Sequence, residues 1–140
     1  MLKPGGTLKV RLMDVLPDRG SAGPKISEWI ESNVVERLES EFRCMRPSTL
    51  VPRWAKTAGF VIPFDNGERK LRLSAAMDAN FEDVSESLGE VVCREMWKRT
   101  WSQFMDVEPG WWEQSDILEE CVAFNTTWTI TALNAVKPKI

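Results

Sequence analysis

The sequence predicts an α/β fold that forms a single domain over residues 1–140, and two features carry this prediction. Apolar and polar side chains alternate over residues 7–13 and again over 127–133, which is typical of half-buried β-strands. Between them, residues 24–45 and 83–105 repeat apolar side chains at spacings of three and four, as amphipathic helices do. We therefore expect about three to four mixed strands packed with three to four helices.

Local signals set the order of elements in the first half. The opening Leu2-Lys3-Pro4-Gly5-Gly6 predicts a turn, because proline fixes φ and glycine permits positive φ, and the first strand follows it. Pro47 ends the first long helix. Ser48 or Thr49 can cap a short helix that stops at Gly59.

The second half is predicted to contain two short strands, two helices and the closing strand. Residues 60–62 form a strand, and residues 70–73 form a second hairpin arm after the turn signal Asp65-Asn66-Gly67-Glu68. After the helix at 83–105, Ser115 can cap a short helix that runs through Cys121. A turn at Asn125-Thr126 then leads into the last strand.

The composition restricts the chemistry. The chain has no His and no Tyr, which excludes imidazole bases, Ser/His/Asp triads and zinc sites that use His. Its three cysteines, Cys44, Cys93 and Cys121, lack the CxxC spacing and are expected to be reduced and mostly buried. A net charge of −3 argues against nucleic acid as the main partner, and no apolar run is long enough to span a membrane. We expect a cytoplasmic protein that binds no metal.

Several segments resemble a known family. Leu2-Lys3-Pro4-Gly5-Gly6 resembles the turn before the fifth strand of class I S-adenosylmethionine-dependent methyltransferases, and Ala58-Gly59-Phe60 resembles the start of their sixth strand. The closing Thr127-Trp128-Thr129-Ile130 is similar to the seventh strand of methyltransferase-like proteins from fungal secondary metabolism. The resemblance covers nearly the whole chain and implies the C-terminal half of that fold.

The resemblance carries three structural implications. The first strand is expected to run parallel to the strand at 60–62, with the last strand antiparallel between them. The family binds its cofactor in the other half of the fold, so no residue here can be assigned as a cofactor ligand, and no cofactor is expected. The outer edge of residues 7–13 lacks its family neighbour, so we expect a homodimer through that edge, or half of a heteromer.

Three functions remain open from the sequence. The first is a truncated methyltransferase-like protein, repurposed for small-molecule biosynthesis, that binds an apolar intermediate and catalyses a cyclisation or isomerisation without methyl transfer. The second is the C-terminal part, or a subunit, of a split methyltransferase. The third is a non-catalytic regulatory partner of a methyltransferase.

Candidate site residues follow from these hypotheses. Asp14, Asp106 and Glu108 are candidate catalytic acids, although solvated turn residues would have the same pattern. Asp14 and Asp18 follow the first strand, and open α/β sheets bind ligands beyond the carboxyl ends of their parallel strands. The candidate substrate-binding side chains are aromatic, and they can equally fill the core or an interface: Trp97, Trp101, Trp111, Trp112 and Phe64. A basic cluster is interpreted as a solvated face: Arg43, Arg46, Arg53 and Lys56.

Overall fold

Three strands form one sheet in the computed structural model, which describes residues 3–41, 43–77, 84–105 and 108–139. The strands are β1 (Thr7–Met13), β2 (Glu68–Ser74) and β3 (Thr127–Val136). Helix α1 is continuous through Pro24–Ile30, the π-helical stretch Glu31–Val35 and Glu36–Ser40. The other helices are α2 (Pro47–Thr57), α3 (Val84–Trp101) and α4 (Ser115–Phe124), and single 3-10 turns cover Ser102–Phe104 and Trp111–Glu113. The predicted α/β class and its numbers of strands and helices are confirmed.

The strand order is β1-β3-β2, and both neighbouring pairs are antiparallel. Strands β1 and β2 therefore run parallel to each other on either side of β3, which is the predicted arrangement. The segment predicted for the second outer strand is wrong, because residues 60–62 contribute only a single bridge between Val61 and Val136. Pro63 has no N–H and ends any further pairing, so Glu68–Ser74 takes that place in the sheet. The predicted hairpin is also wrong, because residues 60–62 and 68–74 both pair with β3 and not with each other.

The two faces of the sheet differ in what covers them. Trp128 and Ile130 of β3 belong to the main core, which also holds buried side chains of α1, α3 and α4. Leu133 and Ala135 point to the other face, where α2 packs against β1 and β3. None of the helices in the described part of the chain is both long and apolar enough to cross a membrane.

Tryptophans fill the centre of the main core. Trp97, Trp111 and Trp128 are each at most 1% exposed. Trp111 stacks on Trp128 with the ring centroids 5.2 Å apart, and it meets Trp97 edge-on at 5.9 Å. Burial of three indoles removes several hundred Å² of apolar surface from water, so this cluster contributes substantially to the stability of the fold.

Acidic side chains that are distant in sequence cap two helices. Glu120 of α4 accepts hydrogen bonds from the N–H groups of Lys25 and Ile26 in the first turn of α1, at 3.0 and 3.1 Å. A Cβ on Gly23 would lie 2.3 Å from the Glu120 carboxyl carbon, so only glycine admits this cap. Asp14 caps α2 in the same way, in place of the predicted Ser48 or Thr49.

Several helix ends differ from the predictions. The first helix ends at Ser40, not at Met45, and the Met45 carbonyl instead accepts the N–H of Val15 at 3.3 Å. Helix α3 ends at Trp101, while α4 continues to Phe124, where Asn125 takes the left-handed conformation at φ 54°. The predicted stop at Gly59 is confirmed, with φ at 93°.

Candidate ligand cleft beyond the end of β1

A cleft of about 580 Å³ opens where β1 ends and the chain passes into the loop before α1. Five elements contribute to its walls, since the loop after β1, α1, the start of α2, β2 and the start of β3 all reach it. Its charged side chains are Asp14, Asp18, Glu31, Arg19, Arg46, Lys70 and Arg72. Trp128 and Thr129 add the β3 side of the wall. The carboxyl end of a strand is where α/β sheets commonly bind ligands.

Two indoles hold the loop after β1. The Trp128 Nε1–H donates to the Asp14 carbonyl at 3.1 Å, and the Trp97 Nε1–H donates to the Val15 carbonyl at 3.0 Å. The backbone N–H of Asp18 donates to the Thr127 carbonyl at 2.8 Å. The loop is thus tied to β3 and to the core at successive points, which preorganises the side chains that it presents to the cleft.

Asp18 is the most heavily bonded acid in the cleft. Its Oδ2 accepts hydrogen bonds from the Thr127 and Thr129 hydroxyls at 2.8 and 3.0 Å, and the Arg72 Nε lies 3.6 Å away. The side chain is 22% exposed, so it still reaches solvent. All of these contacts fall on Oδ2, which leaves Oδ1 as the oxygen that can accept from a ligand.

Asp14 has a structural partner. Its Oδ1 accepts the backbone N–H of Ser48 at 3.0 Å, and its Oδ2 accepts the Ser48 hydroxyl at 2.6 Å. Both oxygens are therefore used to join the end of β1 to the first turn of α2. This makes Asp14 a positioning residue of the cleft wall, with Ser48 beside it.

Four cations surround the cleft. Arg19 and Arg46 are exposed, and neither takes part in the ion pairs found between described residues. Lys70 lies 3.8 Å from Glu68, and Arg72 pairs with Asp18, both with exposed side chains. The wall carries these four cations against three acids, Asp14, Asp18 and the exposed Glu31. Because Asp14 and Asp18 already receive protein donors, the guanidinium groups of Arg19 and Arg46 are the ones left to bind an anionic group.

Asp14 and Glu108, the two predicted catalytic acids that the structure describes, are not brought together in the cleft. Asp14 lines the cleft, as the carboxyl-end argument predicts. Glu108 is exposed and is not among the residues of the cleft wall. Asp106 lies outside the described residues.

Most of the aromatic side chains predicted to bind substrate lie in the core. Trp97, Trp101 and Trp111 are 0%, 4% and 0% exposed, and none of them lines the cleft beyond β1. Trp112 is half-buried, with its ring 5.7 Å from that of Trp97 and beneath the Lys98 ammonium group at 5.1 Å. Phe64 is fully exposed beside a separate shallow depression. The burial of Trp97, Trp101 and Trp111 therefore favours the interpretation that these indoles fill the core over the interpretation that they line an apolar pocket.

Sequence reasoning missed the cations of the cleft. The sequence pattern places Arg46 on a solvated basic face and predicts only a strand position for Lys70 and Arg72, whereas all three line the cleft. A usable signal was the repetition of Lys70 and Arg72 at a spacing of two, which puts both on one face of β2. Their approach to Arg46 depends on the sheet order, which no local pattern contains.

The buried cysteines are inert groups. Burial raises the pKa of Cys93 from 9.0 to about 12 and that of Cys121 from 9.0 to about 11. Both thiols are therefore neutral at physiological pH and poor nucleophiles. Among the described residues, no group of three or more Cys, Asp and Glu side chains could hold a metal ion.

Comparison with known proteins gives no relative for this chain. No family model matches it, and no curated protein or solved structure does either. The resemblance to class I methyltransferases therefore stays a prediction, and the cleft itself is the basis for any functional proposal.

Proposed function

We propose that this protein binds a small anionic organic molecule in the cleft beyond β1 and promotes its cyclisation or isomerisation without methyl transfer. The observation that carries the proposal is the cleft itself, in which Arg19 and Arg46 stand free of ion pairs among the described residues while Asp14 and Asp18 are held by protein donors. A ligand carboxylate would supply the charge that these guanidinium groups lack.

Each part of the cleft has a role in this proposal. Arg46 and Arg19 bind the ligand's anionic group, and the half-buried Leu16 and Pro17 offer an apolar surface beside it. The Asp18 Oδ1 accepts a hydrogen bond from a ligand hydroxyl and so fixes its orientation. Holding a flexible molecule in one reactive conformer accelerates an intramolecular reaction without metal or imidazole, because the entropy of orientation is lost on binding.

The ligand class differs from the apolar intermediate expected from the sequence. That expectation depends on an indole-lined cavity, whereas Trp97, Trp101 and Trp111 are buried in the core. The cleft walls instead carry hydroxyls, carboxylates and cations. A ligand that combines a carboxylate with hydroxyl groups matches this lining better than a hydrocarbon-rich one does.

The strand order supports a second candidate function, the substrate-side half of a split methyltransferase. An antiparallel strand between two mutually parallel strands is the order expected for the carboxyl half of that family, and β1-β3-β2 has this order. In this case a second chain would supply the glycine-rich loop. Binding of S-adenosylmethionine that appears only after such a chain is added would support this candidate over the first.

The test of the first candidate uses a matched pair of probes. We expect 2,4-dihydroxybenzoate to shift amide resonances of residues 14–20 in heteronuclear NMR, and its methyl ester, which lacks the charge, to bind at least about tenfold more weakly, equivalent to about 1.4 kcal/mol. Arg46→Ala should weaken binding of the acid, while Arg99→Ala on the exposed face of α3 should not. Equal binding of acid and ester would contradict the proposal. Calorimetry with S-adenosylmethionine is the second arm, and micromolar binding by the chain alone would contradict both candidates.

A further inference from the structure

Strand β1 has an open edge. The Lys137 N–H donates to the Gly6 carbonyl at 2.9 Å, so the even-numbered positions of β1 direct their backbone groups toward β3. The alternate residues Thr7, Lys9 and Arg11 direct their N–H and C=O groups away from β3, toward the outer edge of the sheet. No strand in the described part of the chain pairs with these groups, since β3 is the only strand neighbour of β1 there.

The open stretch has a defined end. Val15, the next alternate residue after Met13, donates its N–H to the Met45 carbonyl at 3.3 Å, so the segment before α2 closes the edge there. The groups left unpaired extend over three alternate residues, Thr7 to Arg11. This is the length of edge that a short added strand needs for several backbone hydrogen bonds.

The side chains of this edge divide by face. Thr7, Lys9 and Arg11 are exposed on one face, where Arg11 lies across Ala132 from the exposed Arg69 of β2. None of the ion pairs between described residues involves Lys9, Arg11 or Arg69. The other face carries apolar side chains that are only half-buried: Leu8, Val10 and Leu12. The edge is therefore cationic on one face and apolar on the other.

The edge of β2 is different. Its alternate residues Lys70 and Arg72 already have acidic neighbours, with Glu68 at 3.8 Å and Asp18 at 3.6 Å respectively. The charge on that edge is largely compensated within the chain. Only the β1 edge combines unpaired backbone groups with cations that have no acidic neighbour among the described residues.

A second copy of the chain fits this edge poorly. An antiparallel two-fold pairing centred on Lys9 would put Lys9 opposite its own copy and Arg11 opposite Thr7, with the cations of both strands on one face. Like charges directly opposite each other in a sheet are destabilising. Charged side chains on edge strands are also a common means of preventing self-association.

We propose that the β1 edge binds an extended acidic segment of another protein, which adds a fourth strand to the sheet. In that segment, acidic side chains would alternate with apolar ones. The acids would face Lys9 and Arg11, and the apolar side chains would extend the face of Leu8, Val10 and Leu12. Backbone hydrogen bonds to Thr7, Lys9 and Arg11 provide affinity, and the charge pattern provides selectivity. This partner surface is separate from the cleft and independent of its function.

Fluorescence anisotropy with labelled peptides tests the charge pattern. The probe is an end-blocked peptide of four Glu-Val repeats, and the matched control is the same peptide with Lys in place of Glu. We expect the acidic peptide to bind at least tenfold more tightly than the basic one. The double variant Lys9→Glu/Arg11→Glu should reverse this order, while Arg99→Glu should leave it unchanged.

Hydrogen exchange of the unaltered chain tests the position and needs no variant to fold. The acidic peptide should slow exchange of the Thr7, Lys9 and Arg11 amides by at least tenfold, while the Leu8 and Val10 amides, already bonded to β3, should change little. Three results would overturn the proposal: no binding of the acidic peptide at millimolar concentration, equal affinity for the two peptides, or protection of these amides in the chain alone together with a dimer by light scattering. The last result would identify a second copy as the occupant.

Discussion

Asp14 accepts two hydrogen bonds from Ser48, one from its backbone N–H at 3.0 Å and one from its hydroxyl at 2.6 Å. The two residues are 34 positions apart in the sequence. The pair attaches the first turn of α2 to the end of β1, and it satisfies an N–H that the helix itself cannot bond. It also fixes the wall of the cleft, because both residues line it.

Asp14→Ala should therefore lower the free energy of unfolding by about 1–3 kcal/mol, the range for a lost cap or a lost hydrogen bond to a charged group. Asp14→Asn should cost less, because its amide oxygen can still accept the backbone N–H. Urea denaturation at pH 7 measures both. Glu39→Ala, at an exposed position of α1, is the control and should change stability by less than about 0.5 kcal/mol. A double-mutant cycle with Ser48→Ala isolates the hydroxyl bond, and additive effects would show that this bond contributes nothing to stability.

Two buried tryptophans allow the cost of losing one hydrogen bond to be separated from the cost of losing side-chain volume in the core. Trp97 and Trp111 are both 0% exposed, but the Trp97 Nε1–H donates to the Val15 carbonyl, whereas the Trp111 Nε1–H has no hydrogen-bond partner among the described residues. Trp97→Phe should thus cost about 1–2 kcal/mol more than Trp111→Phe, because it leaves a buried carbonyl unpaired. Thermal unfolding of the two variants gives the comparison. Equal losses would mean that the Val15 hydrogen bond contributes nothing beyond packing.

Gly23 is expected to be sensitive because of the Glu120 cap. Its φ of −82° suits any residue, so backbone strain is not the issue. A methyl group at this position would meet the Glu120 carboxylate and displace it from the N–H groups of Lys25 and Ile26. Gly23→Ala should cost about 1–2 kcal/mol, the size of a lost cap. In a Glu120→Ala background the same change should cost much less, and urea denaturation of the four proteins compares the two costs. An unchanged cost in that background would contradict the steric explanation.

The sequence predicted elements well where a local pattern is sufficient. Alternation between Thr7 and Met13 predicts β1, because successive side chains of a strand face opposite sides of the sheet and are here exposed and half-buried in turn up to Leu12. The pattern is not sufficient for residues 60–62, which are apolar enough for a strand but are followed by Pro63. The helix caps were also missed, since Glu120 and Asp14 approach α1 and α2 only after folding.

The sequence could predict where the cleft lies, but it could not predict which side chains form its wall. The rule that ligands bind beyond the carboxyl ends of strands selected Asp14 and Asp18, and both line the cleft. It could not separate core from pocket for Trp97 or Trp111, because an indole at helical spacing satisfies both. The cations Arg46 and Arg72 lie 26 positions apart in the sequence and come together only through the sheet order.

The thiols should differ sharply in reactivity. Cys44 is half-buried, whereas Cys93 and Cys121 are buried and have raised pKa values. At pH 8 the native chain should react with Ellman's reagent at one thiol of its three, and the other two should react only at the rate of unfolding. Cys44→Ser should remove the fast phase. A fast phase that persists in this variant would show that a buried thiol is accessible.

Alkaline pH should destabilise the fold through the same two thiols. Their pKa values are raised to about 12 for Cys93 and about 11 for Cys121, above the ordinary value of 9.0. Below pH 9 both states hold the thiol protons, so the thiols contribute no pH dependence. Above pH 9 the unfolded chain releases them first and binds fewer protons than the native chain, so stability falls as pH rises, by about 1.4 kcal/mol per pH unit for each thiol up to its native pKa. The absence of Tyr removes one competing titration from this range.

Urea denaturation between pH 8 and 11 in the presence of a reductant measures the slope. Cys93→Ala should reduce the thiol contribution by about half, when the stability of each protein is referenced to its own value at pH 8. A slope that is the same in the parent and in the Cys93→Ala variant would mean that burial does not hold this thiol in its neutral form.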